Sequence, residues 1–110
     1  MPDKKRTAAD KRTKHFRDCT QADDFIKDWE RLDRSGKHDM HRLKEAMMLI
    51  VANDAPLPPE WKDHSLSGQL KNYRECHIKG DLLLVYEIRA KNGYEAVAFA
   101  RAGTHSELFK

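Results

Sequence analysis

The spacing of apolar residues divides the chain into a helical half and a strand-rich half. Apolar side chains recur every three or four residues between positions 22 and 32, which predicts an amphipathic helix over residues 21–34 with Thr20 as its N-cap. Ser35-Gly36-Lys37 ends that helix, because glycine adopts the left-handed conformation that closes a helix. A second apolar stripe, from Met40 to Val51, predicts a helical hairpin.

The second half of the chain has the period of β-strands. Three prolines at positions 56, 58 and 59 end the second helix, since proline removes a backbone donor and keeps the preceding residue extended. Residues 70–78 then alternate between two faces of a strand. One face carries Leu70, Asn72, Arg74, Cys76 and Ile78, and the other carries Lys71, Tyr73, Glu75 and His77.

Two turn signals separate the remaining strands. Lys79-Gly80-Asp81 predicts a tight turn into the apolar strand Leu82–Ile88, and Lys91-Asn92-Gly93 predicts a hairpin turn into a strand around Tyr94–Arg101. We therefore expect an α+β domain with a helical hairpin followed by a three-strand antiparallel meander. Residues 12–17 are a candidate fourth strand.

Composition adds a class and a compartment to this picture. A chain of 110 residues suits one domain, and 39% hydrophobic against 35% charged residues indicates a small core under a charged surface. No apolar run reaches the length of a membrane span and no secretory signal opens the chain, so a cytoplasmic protein with no membrane partner is expected. Cys19 and Cys76 do not have the spacing of a CxxC motif or of a disulfide framework, and they are predicted to be reduced structural thiols.

Basic charge is concentrated at the N-terminus. Residues 1–17 contain seven Lys and Arg against two Asp, a local charge of +5 in a chain of net charge +3. Such a segment is usually a solvated tail, and contact with nucleic acid phosphates is the sharper alternative. We divide the chain into a basic extension, 1–11, and a domain, 12–110.

The polar face of the 70–78 strand has the groups that RNA cleavage requires. A base must deprotonate the 2′-hydroxyl, an acid must protonate the leaving 5′-oxygen, and cations must stabilise the charge on phosphorus. Histidine suits both proton roles because it titrates near neutral pH. The alternative is that this face is only the solvated side of an antiparallel sheet.

Metal binding has weaker support from the sequence. His38 and His41 lie one helical turn apart but lack further ligands, and both are predicted to be surface residues. His64, His77, His105 and Asp81 have plausible ligand types without a supporting motif. No metal and no cofactor is therefore predicted. Arg74, on the core-facing side of its strand, is expected to form a structural ion pair.

Two segments carry a resemblance to a known family. LPPEWKDHSLSGQLKNYRECHIKGDLLLVYEI (57–88) and FARAGTHSELF (99–109) resemble the YafQ-type branch of the RelE/ParE superfamily, the mRNA-interferase toxins of bacterial toxin–antitoxin pairs. The match covers roughly residues 12–110. It implies a RelE-like fold, with two helices on one side of a small antiparallel sheet and RNA on the other. It also implies cleavage of mRNA in the ribosomal A site, inhibited by a cognate antitoxin.

The resemblance also implies roles for individual residues. The family's catalytic positions fall on His64, His77, Asp81 and His105, with His105 as the general acid; the base role stays divided among the other three. Phe109 matches an aromatic residue of the family's site, and Glu75 stands where the family commonly has Asp. The residues expected to contact RNA are Lys71, Tyr73, Glu75, Lys79 and Phe109.

Two classes of partner follow from these alternatives. The leading function is a ribosome-dependent endoribonuclease toxin that binds a cognate antitoxin and the ribosome with its mRNA. The alternative is a non-catalytic, ParE-like toxin that binds a protein such as DNA gyrase, because fold alone does not decide function.

Overall fold

A five-stranded mixed sheet forms the centre of the computed structural model, which describes residues 16–91 and 93–109. Its strands are β1 (Asp18–Gln21), β2 (His64–Ser65), β3 (Tyr73–Lys79), β4 (Leu82–Lys91) and β5 (Tyr94–Thr104), in the spatial order β1-β5-β4-β3-β2. Strands β3, β4 and β5 form the predicted antiparallel meander. The predicted α+β class is confirmed, with two more strands than the meander alone.

The helices also follow the predicted hairpin. They are α1 (Asp23–Ser35), α2 (Met40–Ala52) and a short α3 (His105–Phe109), with single 3₁₀ turns at Pro59–Trp61 and Gly68–Leu70. Gly36 closes α1 in the left-handed conformation, at φ 68°. Within the described ranges no helix is both long and apolar enough to cross a membrane.

The first strand lies at other residues than the candidate segment 12–17. β1 begins at Asp18, after the 12–17 segment, and pairs in parallel with β5, so that Thr20 lies opposite Ala98. Because Thr20 belongs to this strand, it is not the N-cap of α1; Ala22 has that position and provides no side-chain cap. The extension 1–11 and residues 12–15 lie outside the described residues.

The start of β3 also differs from the prediction. Leu70 is the last residue of the 3₁₀ turn Gly68–Leu70, and residues 71–72 follow it, so none of the three is part of the strand, which begins at Tyr73. Lys71 therefore does not extend the polar row of β3. Leu70 is 39% exposed and lies near Tyr73, away from the core-facing residues with which it was grouped.

The core lies between the helices and one face of the sheet. Its buried members are Phe25, Leu32, Leu43, Ala46, Ile50, Trp61, Cys76, Ile78, Leu82, Leu84, Tyr86, Val97, Phe99 and Ala102. Cys76, Leu84 and Ala102 form one row of this face across β3, β4 and β5, and all three are fully buried. Helices α1 and α2 thus cover one face of the meander and leave the polar row of β3 on the other.

Candidate active site

The polar row of β3 faces away from the helices, as its alternation predicts. Cys76 and Ile78 are buried in the core, whereas Tyr73 and His77 are partly exposed on the opposite face. Glu75 lies on this outer face as well, yet it is only 7% exposed. A buried carboxylate between partly exposed groups points to a role beyond that of a solvated face.

Strand β2 brings a second histidine to this carboxylate. His64 lies directly opposite Glu75 in the β2–β3 pair, and His77 follows two residues along β3 on the same face. Oε2 of Glu75 is 3.4 Å from Nε2 of His64 and 3.7 Å from Nε2 of His77. One carboxylate therefore faces two imidazoles, whose ring centres are 6.2 Å apart.

A backbone contact fixes the proton on one ring nitrogen of His64. Its Nδ1 lies 2.8 Å from the carbonyl oxygen of Lys62. A carbonyl oxygen only accepts, so Nδ1 is the donor in this contact. Nε2 is then the nitrogen that is left to exchange a proton with a substrate. The His64 side chain is half exposed, and its Nε2 lies 3.4 Å from Oε2 of Glu75.

Asp81 and His105 lie apart from this cluster, at one end of the sheet. Asp81 is exposed in the turn before Leu82, and His105 is exposed as the first residue of α3. Leu82 pairs with Thr104. Asp81 and His105, the residues next to this pair in the sequence, therefore lie at the same end of the sheet. The ring of His105 lies 5.3 Å from that of Phe109, one helical turn away. The structure thus brings His64, Glu75 and His77 together, whereas Asp81 and His105 lie at the end of the sheet, outside that cluster.

The aromatic residues predicted to contact RNA line a shared groove. Tyr73 and Phe109 border a groove of about 370 Å³ on the outer face, with Leu70, Val85, Leu108 and Arg101. Aromatic and aliphatic walls of this kind suit the stacking of an unpaired base. The groove runs beside the histidine cluster because Val85 pairs with Glu75.

Basic side chains lie near the cluster on the side away from the aromatic groove, in a cleft that Asp39 and Glu60 also line. Lys79 and Lys62 line a cleft of about 460 Å³ next to His77, together with Arg42, which stacks 4.1 Å above the ring of Trp61. Lys71 is exposed after the 3₁₀ turn that precedes β3. Lys71 and Lys79 are therefore free to meet phosphates, although only Lys79 lies on the strand.

The predicted ion pair of Arg74 is confirmed, and it supports the loop that carries His64. Nη2 of Arg74 is 3.1 Å from Oδ2 of Asp63, and its Nη1 donates to Oγ of Ser65 at 2.8 Å. Tyr86 donates to the other oxygen of Asp63 at 2.5 Å. Burial, with the hydrogen bond to Asp63, raises the pKa of the Tyr86 hydroxyl well above its ordinary value. Asp63 and Ser65, the two neighbours of His64, are thus both bound to Arg74.

A second polar network was not predicted from the sequence. Asp28 is 2% exposed on α1 and accepts from Nε of Arg101 at 2.7 Å, the amide of Ala102 at 2.9 Å and Nη1 of Arg31 at 2.7 Å. Nη2 of Arg31 reaches Glu107 of α3 at 3.1 Å. The available signal was the position of Asp28 within the apolar stripe of α1, where a carboxylate requires partners.

The cluster also has the donor set of a metal site. The ligand atoms of His64, Glu75 and His77 lie within 4.8 Å of one another, and two imidazoles with one carboxylate suit zinc or copper. This set differs from the four residues considered above, because Glu75 takes the place of Asp81 and His105.

Comparisons with known proteins identify the family. Residues 17–110 match the model of the family described as "Bacterial toxin of type II toxin-antitoxin system, YafQ". The chain belongs to the YafQ toxin family. It is 38% identical over 93 residues to the mRNA interferase toxin YafQ of Escherichia coli K12, an alignment that covers 84% of this chain and 96% of that protein.

Solved structures support the same fold. The E. coli DinJ–YafQ complex matches with a TM-score of 0.74 and 37% identity, over 86% of this chain and 99% of the matched chain. A metal-bound toxin from Helicobacter pylori matches with a TM-score of 0.74 and 38% identity, over 86% of this chain and all of that one. The predicted family and its fold are therefore confirmed.

Proposed function

We propose that this chain is an mRNA interferase, an endoribonuclease toxin that cuts mRNA in the ribosomal A site. The observation that carries this proposal is the pair of imidazoles on one buried carboxylate, in a chain whose curated relative is named an mRNA interferase. The non-catalytic, ParE-like alternative is not favoured, because the matching family and relatives are YafQ toxins.

The base in our mechanism is Nε2 of His64, the ring nitrogen that does not bind the Lys62 carbonyl and that lies 3.4 Å from Oε2 of Glu75. It removes the proton of the 2′-hydroxyl, whose oxygen attacks the adjacent phosphorus and displaces the 5′-oxygen. The products are a 2′,3′-cyclic phosphate and a 5′-hydroxyl. Glu75 holds both imidazoles in place and stabilises the positive charge that His64 gains.

The acid in our mechanism is His105, which protonates the leaving 5′-oxygen. His77 pairs across the sheet with Leu83, which pairs with Gly103, two residues before His105. The strands β3 and β5 are therefore two strand spacings apart, about 10 Å. The base, His64, lies one strand further away on β2, so the backbones that carry base and acid are three strand spacings apart, about 14 Å. We propose that the two side chains reach over β3 and β4 to opposite sides of the scissile phosphate, as in-line displacement requires. Lys71, Lys79 and Asp81 are proposed to border the RNA there.

Base stacking completes the proposed RNA site. Tyr73 and Phe109 border the groove next to the cluster and would hold an unpaired nucleotide of the mRNA. The mechanism uses no metal ion. A second candidate property is inhibitory metal binding by His64, Glu75 and His77, supported by their geometry and by the metal-bound relative.

A cognate antitoxin and the ribosome are the proposed partners. The E. coli relative is found in complex with DinJ, which supports an antitoxin protein that binds this chain as well. The ribosome would supply the aligned mRNA that so small a domain does not hold by itself, and this places the proposed activity in the cytoplasm.

The test is cleavage by full-length protein in a purified translation system. We expect cuts within translated codons, mapped by primer extension, and poor cutting of the same RNA without ribosomes. His105→Ala should lower the rate at least about 100-fold, because it removes an acid. His41→Ala, on an exposed face of α2, is the matched control and should retain the wild-type rate. Equal rates in the two variants would refute His105 as the acid.

A further inference from the structure

Helix α3 carries both His105 and Phe109 but has only five residues. Isolated helices of this length are not stable in water. Its ring contact between His105 and Phe109 exists only while the turn is intact, since the two residues are one turn apart. Other contacts must therefore hold α3 in a helical conformation and against the sheet.

Thr104 and Glu107 form a complete capping box at the start of this helix. The amide of Glu107 donates to Oγ1 of Thr104 at 3.3 Å, and the amide of Thr104 donates to Oε1 of Glu107 at 2.8 Å. This reciprocal pair satisfies two backbone donors that a helix start leaves free. Thr104 is also the last residue of β5, so the box joins the helix directly to the sheet.

Arg31 holds the same carboxylate from the side of α1. Its Nη2 donates to Oε1 of Glu107 at 3.1 Å, while its Nη1 is bound to the buried Asp28 at 2.7 Å. The planar guanidinium thus has one end fixed in the protein interior and the other on α3. The amide of Thr104, together with the charge of Arg31, holds the pKa of Glu107 below its ordinary value.

The close approach of these groups depends on Gly103. A Cβ at this position would lie 2.8 Å from Oε1 of Glu107, 3.1 Å from Nη2 of Arg31 and 3.1 Å from Cδ2 of Leu108. A larger residue would displace the ends of these side chains, among them the carboxylate that caps α3. The missing side chain allows α3 to pack directly on the end of β5.

We propose that Thr104, Glu107 and Arg31 are positioning residues for the reaction, because they hold α3 so that His105 and Phe109 face the RNA. They touch neither reacting atom, and their effect passes through the conformation of α3. This inference rests on the proposed function for its consequence in catalysis, whereas its structural part stands separately.

The test compares Thr104→Val with Thr104→Ser. Valine keeps the β-branched shape that suits the strand but lacks the hydroxyl, whereas serine keeps the hydroxyl. We expect Thr104→Val to lower the rate of mRNA cutting on ribosomes about 10-fold, because small misplacements of a catalytic group are costly. Thr104→Ser should stay within about twofold of wild type. Equal rates for valine and serine would overturn the proposal.

Glu107→Gln provides a second test with a closely matched control. Glu95 also pairs with an arginine, Arg17, at 2.9 Å, and its side chain is 45% exposed against 40% for Glu107. We expect Glu107→Gln to lower the rate about 10-fold and Glu95→Gln to leave it unchanged. A drop of the same size in both variants would mean a general effect of surface charge and would overturn the proposal.

A spectroscopic measurement separates this inference from the proposed function. In the free protein, the nuclear Overhauser contact between the rings of His105 and Phe109 should weaken in Thr104→Val and persist in Thr104→Ser. This expectation holds even if the wild-type protein cuts no mRNA, an outcome that would overturn only the proposed function. An unchanged contact in Thr104→Val would overturn the positioning role.

Discussion

The buried carboxylate of Asp28 gives the most direct energetic prediction. Asp28→Asn keeps the volume of the side chain but removes its charge and turns one acceptor oxygen into an amide donor. The affected contacts are the charge-assisted hydrogen bonds from Arg101 to Oδ2 and from Arg31 to Oδ1, each 2.7 Å long; the amide group removes one of them and leaves the other without its negative partner. Such bonds contribute about 1.5–3 kcal/mol each, but both guanidinium groups are about 40% exposed and regain water in the variant. We therefore expect a loss of about 3 kcal/mol.

Thermal unfolding measures this loss. For a domain of this size, about 3 kcal/mol corresponds to a fall in Tm of about 12 °C. Asp33→Asn is the matched control, because it is the same substitution on the same helix at an exposed position, and its Tm should change by no more than about 2 °C. If the two variants unfold at the same temperature, Asp28 does not stabilise the packing of α1 on β5 as we infer.

The pH dependence of the difference in Tm between wild type and Asp28→Asn provides a second check. Burial opposes ionisation of Asp28, but hydrogen bonds from Arg101, the amide of Ala102 and Arg31 outweigh it and lower the pKa of the carboxyl. A lowered pKa contributes stability that is fully present above the unfolded-state value of about 3.9 and is lost as the pH falls through the folded-state pKa. The gap in Tm between wild type and Asp28→Asn should thus be constant from pH 5 to 7 and narrow below about pH 4. A gap that widened in acid would contradict this sign.

Two further predictions concern the thiols and the histidine cluster. Burial, with smaller effects of Asp63 and Glu75, raises the pKa of the Cys76 thiol to about 12, so a thiol reagent at pH 8 should label only the exposed Cys19 in native protein and both after denaturation. Rapid labelling of two thiols in the native state would contradict the burial of Cys76. Zinc should bind through His64, Glu75 and His77 and slow mRNA cutting, because it occupies Nε2 of His64, the proposed base. The substitution His64→Gln should weaken zinc binding as measured by calorimetry. Faster cutting with zinc would refute the metal-independent mechanism.

The meander was predictable because local patterns decide it. The alternation along β3, the turn at Gly80 and the turn at Gly93 each lie within a few residues of the strands that they define. Its outer face, with Glu75 and His77, follows directly from that alternation. A register shift by one residue would have buried both of them among the core residues.

The first strand and the buried network depend on contacts that are distant in the sequence. β1 pairs with β5, where Asp18 lies opposite Ala96, and no local pattern indicates a parallel partner 78 residues away. Thr20 has the form of an N-cap, but the pairing with β5 takes precedence over that local preference. Asp28 gives a weak signal for a similar reason, since its partners, Arg101 and Ala102, follow more than 70 residues later.

Two histidines of the proposed site, His64 and His105, come from pieces of chain that are too short to be stable by themselves. β2, which carries His64, has two residues, and α3, which begins with His105, has five. Each piece is held by an arginine that binds a carboxylate: Arg74 of β3 in the first case and Arg31 of α1 in the second. Glu75 and His77 need no such support, because β3 is a seven-residue strand that pairs with both β2 and β4. The geometry between base and acid is therefore set by two ion-pair networks outside the reacting groups, and substitution of an exposed member such as Glu107 should alter activity more than stability.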